Sequence, residues 1–260
     1  MRADKFFTEK FGSRTKAHNA LERGLVLRNG RPLAPKDEVR EGDVFSFVEE
    51  GARFVSEGGF KLERALNCFP YEVQGKVFAD LGASTGGFTD CLLKRGAERV
   101  YCVDVGTSQL DPGLLATGKI VVMDDTNARF LTAESFPESI DGVVSDLSFI
   151  SLRLVLPAIC DILKNGGSAL VLFKPQFECG GKGLGKSGIL PVRLHADLLG
   201  EFYSFCISLG LAPRDIVNAP IRPKKNVEYV VWLEKNGNSV PKESFLRKAR
   251  KIFSEKDEIF

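Results

Sequence analysis

The chain has 260 residues, 43% of them apolar, with a formal net charge of +2. That length allows one sizeable core and a small appended domain. The longest apolar runs, such as residues 169–173 and 229–233, fall well short of the ~20 residues that cross a bilayer. The early charges Arg2, Asp4, Lys5, Glu9 and Lys10 are unlike the apolar core of a secretory signal, so a cytoplasmic location without stable membrane association is expected. Six scattered cysteines with no C-x-x-C pair read as reduced, buried thiols, and His18 and His195 stand in no ligand-spaced cluster, so no metal site is expected.

Charge is distributed unevenly. Residues 1–36 hold nine lysines or arginines against three acids, and residues 37–50 one against six. Phe6, Phe7 and Phe11 recur at helical spacing. Ser13 can cap a second helix that runs to Leu21 and stops at Gly24. A strand over residues 25–27, a tight turn at Asn29-Gly30 and a strand over residues 44–48 complete a unit of about 50 residues. It is too small for much of a core.

After Gly51 the pattern changes. Gly58-Gly59 introduces an amphipathic helix over residues 60–68. Strands are then expected at 76–80, 99–104, 119–123, 142–146 and 168–173, with helices near 87–94, 109–116 and 151–163. This alternation predicts an α/β fold, a mostly parallel Rossmann-like sheet with helices on both faces. A long helix over 192–209, two strands near 215–218 and 227–233, and a basic helix over 241–256 close the chain. No crossover helix separates the two last strands, so the final one is expected to run antiparallel.

The segment DLGASTGGFTD, residues 80–90, follows the first parallel strand and opens a helix. Its glycines permit a tight turn and close approach of backbone to a ligand. Ser84 replaces the second glycine that a dinucleotide pyrophosphate requires, so the turn suits a nucleoside carrying a methionine moiety, that is, S-adenosyl-L-methionine. Asp80, Gly82, Ser84, Gly86, Gly87 and Phe88 are the cofactor candidates here. Asp104 ends the next strand 20 residues past Ser84, where an acid accepts hydrogen bonds from a ribose. Asn127 follows the third strand and either faces the adenine edge or closes an Asx turn.

Asp146 and Lys174 stand at the carboxyl ends of two further strands. An antiparallel last strand brings Glu228 to that same edge, and Lys61 lies on the preceding helix. Two lysines and two acids in one cleft, with Asp146 also beside the cofactor, suit the deprotonation of a hydroxyl. Each lysine is expected to lower the pKa of the other, making a base near neutral pH.

These residues resemble the TlyA family of bacterial ribosomal RNA 2′-O-methyltransferases, historically labelled hemolysins. The resemblance rests on residues 80–90, on DLSFISLRLVLP (146–157), on KPQFE (174–178) and on NVE (226–228), and it covers nearly the whole chain. The first motif is similar to the glycine motif of FtsJ-type methyltransferases. The resemblance implies a catalytic set of Lys61, Asp146, Lys174 and Glu228, with Lys174 as principal base, and ribosomal RNA or ribosomal subunits as partner. It also implies an S-four-type RNA-binding domain over residues 1–50, carried by Ser13-Arg14, Ala17, Gly24, Val26 and Asn29-Gly30, a linker over 51–59 and an FtsJ-like domain over 60–260. Lys10, Arg14, Lys16 and Arg23 would meet the RNA backbone. Where the family reads Ser-Arg-Gly-Gly, this chain has Ser56-Glu57-Gly58-Gly59. Three rival readings are a non-catalytic RNA-binding or ribosome-assembly factor, a membrane-active hemolysin and a nicotinamide-dependent oxidoreductase. Intact Lys61, Asp146, Lys174 and Glu228 oppose the first, the lack of a spanning segment the second, and Ser84 the third.

Overall fold

The computed structural model describes residues 1–22, 25–29, 31–40, 42–47, 54–185, 187–220 and 225–257. The chain divides into two compact units, Met1–Arg53 and Phe54–Phe260.

In the first unit three helices, α1 (Ala3–Phe6), α2 (Thr8–Phe11) and α3 (Arg14–Glu22), cover a small antiparallel sheet of β1 (Val26–Arg28), β2 (Arg31–Pro32) and β3 (Phe45–Phe47), ordered β2-β1-β3. Residues 1–11 thus form two short helices broken at Phe7, and β2 is a strand the apolar pattern did not mark. Ala3, Phe7, Ala17, Leu21, Val26 and Leu33 make the core. Asp4 is buried and accepts from both Arg2 and Arg14; the Arg2 hydrogen bond leads in holding its pKa down at about 2.

The second unit is built on a seven-stranded sheet ordered β6-β5-β4-β7-β8-β10-β9. Strands β4 (Val77–Leu81), β5 (Arg99–Val103), β6 (Ile120–Met123), β7 (Ile140–Ser145) and β8 (Leu163–Phe173) are parallel. β10 (Tyr229–Lys235) inserts antiparallel between β8 and β9 (Leu211–Asn218). The strands alternate in period two: Leu170, Leu172 and Val230 join one apolar layer, while Ala169, Val171, Phe173, Tyr229 and Val231 join the other. Helices α4 (Gly58–Cys68) and α5 (Gly87–Lys94) supply Leu62, Leu66, Phe88 and Leu92 to the first layer. α7 (Leu156–Ile162), α9 (His195–Ser208) and α10 (Lys242–Asp257) supply Ile159, Phe202 and Phe245 to the second. A sheet covered on both faces explains why its strands read as near-continuous apolar runs.

Prolines set the main departures from the expected helices. Asp111 caps α6 (Pro112–Leu115) by accepting from the Gly113 N–H at 2.7 Å, and Pro112, tolerated only in a first turn, keeps the helix from starting at 109. Pro157 likewise sits in the first turn of α7, so residues 151–155 form a separate 3-10 turn, Leu152–Leu154. β8 and β9 are both longer than the apolar runs at their ends, beginning at Leu163 and Leu211.

The segment read as a linker, 51–59, belongs from Phe54 onward to the second unit. Val55 N–H donates to Asp90 on α5 at 2.9 Å, and a side chain on Gly59 would fall 2.3 Å from the Phe54 ring. Gly87 has the same function on α5, since an added Cβ would lie 3.0 Å from the Gly59 nitrogen and 2.1 Å from Ser56 Oγ. These glycines let α4 approach α5 closely enough to hold Lys61 over the sheet edge.

Close packing at the sheet centre is testable at Gly142 of β7, where an added Cβ would lie 2.3 Å from the Phe78 ring and 2.9 Å from the Tyr71 hydroxyl. Gly142→Ala is expected to cost about 1–3 kcal/mol by overpacking. Thermal unfolding should then show a Tm lowered by roughly 3–10 °C.

Candidate active site

Strand order reverses at β4, which has β5 on one side and β7 on the other, and open α/β sheets bind ligands at the carboxyl ends of strands at such a point. Two cavities lie there. One, of about 600 Å³, is lined by Gly82, Ser84, Gly87, Phe88 and the four charged residues Lys61, Asp146, Lys174 and Glu228. The other, of about 500 Å³, is lined by Val103, Asp104, Asn127, Leu147 and Phe149. Gly82 and Ser148 border both.

The charged cluster is built from four separate elements. Asp146 follows β7, Lys174 follows β8, Glu228 precedes the antiparallel β10, and Lys61 stands on α4. One oxygen of Asp146 faces Lys61 Nζ at 3.1 Å and the other faces Lys174 Nζ at 2.7 Å. Lys61 is also paired with Glu228 at 2.9 Å, whereas the further partner of Lys174 is a neutral one, the Ser148 hydroxyl at 2.8 Å. Lys174 is the most enclosed, its side chain 6% exposed against 21% for Lys61. Arg64, one turn beyond Lys61, donates to the Asn218 carbonyl at 2.8 Å and its side-chain oxygen at 3.1 Å, tying α4 to the end of β9.

The electrostatics of Lys61 run opposite to the sequence-based expectation. Burial opposes its charge, but Asp146 and Glu228 together outweigh burial and hold its pKa above the ordinary lysine value. Burial also works against the charge of Asp146, and there the two lysines prevail and hold the carboxyl below its usual range.

The glycine turn divides its labour. Gly82 has φ +83°, and an added Cβ would lie 2.9 Å from Leu147 and 3.3 Å from the Asp146 carbonyl, so it must be bare. Ser84 adopts the left-handed φ of +48° without being glycine. Gly86, with φ +93°, caps α5, and an added Cβ would meet Leu114 at 2.4 Å; it packs rather than lining either cavity. Asp80 is buried beneath the turn and accepts from the Thr89 N–H at 3.0 Å and hydroxyl at 2.7 Å. Asp104 accepts from the Ser84 N–H and the Gly106 N–H, both at 2.8 Å, and so holds the turn while lining the second cavity. Asn127 does cap the following 3-10 turn as an Asx residue, accepting from the Arg129 N–H at 3.1 Å, and also lines that cavity.

Several residues at the site were not singled out from sequence. Ser148 follows Asp146 by two residues, and only the fold shows it against Lys174. Asn226 lines the first cavity, accepts from the Leu190 N–H at 2.8 Å and donates to the Gly188 carbonyl at 2.9 Å, anchoring the end of a glycine-rich loop beside Glu228. Phe149 is 90% exposed at the rim of the second cavity and has φ +62°, an unusual conformation for a bulky residue.

Residues 54–235 match the family model described as FtsJ-like methyltransferase. The chain belongs to the FtsJ-like methyltransferase family. Within it, the chain is 38% identical to the 16S/23S rRNA (cytidine-2′-O)-methyltransferase TlyA of Mycobacterium tuberculosis, over 85% of this chain and 84% of that one. The 23S rRNA (cytidine-2′-O)-methyltransferase TlyA of Campylobacter jejuni is 30% identical, over 91% of this chain and all of its relative. A solved hemolysin-named chain from Streptococcus thermophilus superimposes with a TM-score of 0.74 at 35% identity, covering 99% of this chain and 98% of that one. The match thus places the charged cluster inside the FtsJ-like domain. Among the described residues no group of three His, Cys, Asp or Glu is arranged to hold a metal ion, and no helix is long and apolar enough to cross a membrane.

Of the candidates in the first unit, the Lys10 ammonium lies 3.9 Å from the Phe47 ring centre, and Arg14 pairs with Asp4 at 3.1 Å. The side chain of Lys16 and the whole of Arg23 lie outside the described residues.

Asp80 gives this FtsJ-like domain a pH signature. Burial raises its pKa to about 7, against an ordinary 3.8, and Thr89 opposes the shift only in part. The folded state therefore binds this proton more tightly than the unfolded chain, so the contribution is full below pH 3.8 and is lost as pH rises through about 7. Thermal unfolding of the wild type and Asp80→Asn across pH 5–8 should show a downward Tm slope with rising pH that is flatter by several degrees in the variant.

Proposed function

We propose that this protein transfers a methyl group from S-adenosylmethionine to a ribose 2′-hydroxyl of ribosomal RNA, cytidine being the favoured nucleoside by analogy with the TlyA relatives. The observation that carries this reading is one carboxylate, Asp146, with a lysine on each oxygen at the carboxyl edge of the sheet.

The residues fit the cofactor. A nucleoside needs an apolar slot with an acid at its ribose end, and Val103, Leu147, Asp104 and Asn127 line one. The bare Gly82 joins that slot to the polar cavity where a methionine tail would lie. When bound, the cofactor supplies an electrophilic methyl group on a sulfonium, so the protein has to align the acceptor and remove its proton.

Lys174 is the better placed base. Lys61 faces two carboxylates and is held as a cation, whereas Lys174 shares Asp146 with it and otherwise touches a neutral hydroxyl. If Lys174 is neutral, Asp146 keeps Lys61 as its counter-ion and no carboxylate is left unpaired. On taking the hydroxyl proton, Lys174 becomes an ammonium beside Asp146, which stabilises the charge it gains. Lys61 and Glu228 then orient Asp146 and the ribose, and the exposed Phe149 at the cavity rim is suited to stacking on an unstacked base.

The first unit would bring the RNA. Nine basic residues within its first 36 suit a phosphate backbone, and Lys10, Arg14, Lys16 and Arg23 are the candidates for contact. Lys10 lies over Phe47, a contact that holds its ammonium in one place for a phosphate. Arg14 contacts phosphate only with the part of its guanidinium that Asp4 leaves exposed. The cytoplasm, where ribosomal subunits are found, would be the place of action.

Methyl transfer to separated ribosomal subunits tests the base assignment. Lys174→Ala should lower the rate by about 10²–10⁴-fold, the usual contribution of a general base, while cofactor affinity measured by calorimetry stays near the wild-type value. A variant that turns over at the wild-type rate would remove Lys174 from the mechanism.

A further inference from the structure

Two of the sequence motifs run on past their charged residues, and the catalytic set accounts for neither extension. DLSFISL continues five residues beyond Asp146 to Ser151, and KPQFE continues four beyond Lys174 to Glu178. In the structure the two extensions meet. Glu178, at the end of α8 (Pro175–Glu178), accepts from the Ser151 hydroxyl at 2.6 Å and, through its other oxygen, from the Leu152 N–H at 2.8 Å. Ser151 Oγ in turn accepts from the Arg153 N–H at 3.2 Å, so the start of the 3-10 turn Leu152–Leu154 is satisfied through Ser151 and the carboxylate of Glu178.

What lies between the anchored ends is the working part of the cleft. Ser148, the hydroxyl partner of Lys174, and Phe149, with its positive φ, both sit between Asp146 and Ser151. A bulky residue in that conformation persists only when its surroundings fix it. The Phe149 ring lies 5.2 Å from that of Phe177, the neighbour of Glu178, and Phe177 lies 5.9 Å from the Lys174 ammonium. The same two segments are therefore joined by two hydrogen bonds at their far ends, by a ring contact between, and by the Lys174–Asp146 pair at their origins.

We infer that Glu178 is a positioning residue for methyl transfer, clasping the Lys174 turn to the Asp146–Ser151 segment so that Ser148 is held against Lys174 and Phe149 against Phe177. The inference rests on the reading of the site as a 2′-O-methyltransferase. A carboxylate suits the task because it only accepts, and Ser151 and Leu152 offer one O–H and one N–H. Glutamine has one accepting oxygen for Leu152, and its amide can donate to Ser151 Oγ in place of accepting from it. It therefore keeps the clasp without the charge, whereas alanine removes it.

The test compares full-length wild type, Glu178→Gln and Glu178→Ala, with separated ribosomal subunits and S-adenosylmethionine as probes. In Glu178→Ala, kcat should fall about 10- to 100-fold, the scale on which misplaced reacting groups lower rates, while the cofactor Kd changes by less than about threefold. Glu178→Gln should restore kcat to within about threefold of wild type. Amide hydrogen exchange at Leu152, read without turnover, should quicken at least about tenfold in the alanine variant. A folded Glu178→Ala protein with wild-type kcat, a glutamine variant as slow as the alanine one, or unchanged exchange at Leu152 would each overturn the clasp. If Glu178→Ala does not fold, Ser151→Ala removes one of the two bonds and should lower kcat about 3- to 10-fold at unchanged cofactor Kd; wild-type kcat there overturns the inference. A wild-type protein that methylates neither subunit defeats the underlying reading instead, and the Leu152 exchange still decides whether the clasp exists.

Discussion

A carboxylate shared by two lysines imposes most of the architecture around it. Asp146 can face Lys174 only because β7 and β8 are parallel neighbours that end at the same edge. It can face Lys61 only because α4 lies over that edge. Glu228 completes the set because β10 runs antiparallel, so that its beginning, not its end, meets the ends of the other strands. Lys61 has a second carboxylate in Glu228, at 2.9 Å, where Lys174 has only the neutral Ser148 hydroxyl, so the two lysines on Asp146 are unequal. That inequality is what the proposed division of labour rests on, Lys61 holding Asp146 and Lys174 taking the proton.

Holding α4 in place takes several contacts that have no chemistry of their own. Asp90 fixes the Val55 backbone, Gly59 makes room for Phe54, Gly87 lets the two helices touch, and Arg64 ties the helix to Asn218. The glycine-rich turn after β4 clears space on several sides: Gly82, bordering both cavities, for Leu147 and the Asp146 carbonyl, and Gly86 and Gly87 for neighbouring elements of the protein. Asp104 is similar, since its carboxylate braces Ser84 in a left-handed conformation from the adjacent strand.

The strands and the charged residues at their ends were legible in the sequence because a doubly covered sheet writes itself as apolar runs, with polar residues only where strands emerge. The direction of the last strand was legible too, from a connection without a helix. What could not be read were quantities that depend on distance between remote residues. The pKa direction of Lys61 is set by carboxylates 85 and 167 positions away, which outweigh burial and hold it opposite to the lowering that the sequence suggested. Glycines that clear space for a neighbouring element and glycines that face a ligand look alike in one dimension; that a Cβ on Gly86 would meet Leu114 appears only in the fold. A linker was read over 51–59 because two glycines and a change of composition coincide there; the hydrogen bond from Val55 to Asp90, 35 positions on, is invisible to such a pattern. Ser148 and Asn226 fall inside two of the family motifs, but nothing in the sequence separates them from their neighbours there, and their partners appear only in the fold.

The atom that receives the methyl group decides the reaction. Wild-type protein can be incubated with separated ribosomal subunits and S-adenosylmethionine bearing a trideuterated methyl group, the RNA digested to nucleosides, and each nucleoside resolved by mass spectrometry with fragmentation of base from sugar. Transfer to the ribose leaves the deuterated label on the sugar fragment, as a 2′-O-methyl nucleoside, with cytidine carrying it. Label on a base fragment, or none with either subunit although cofactor binds, would contradict it.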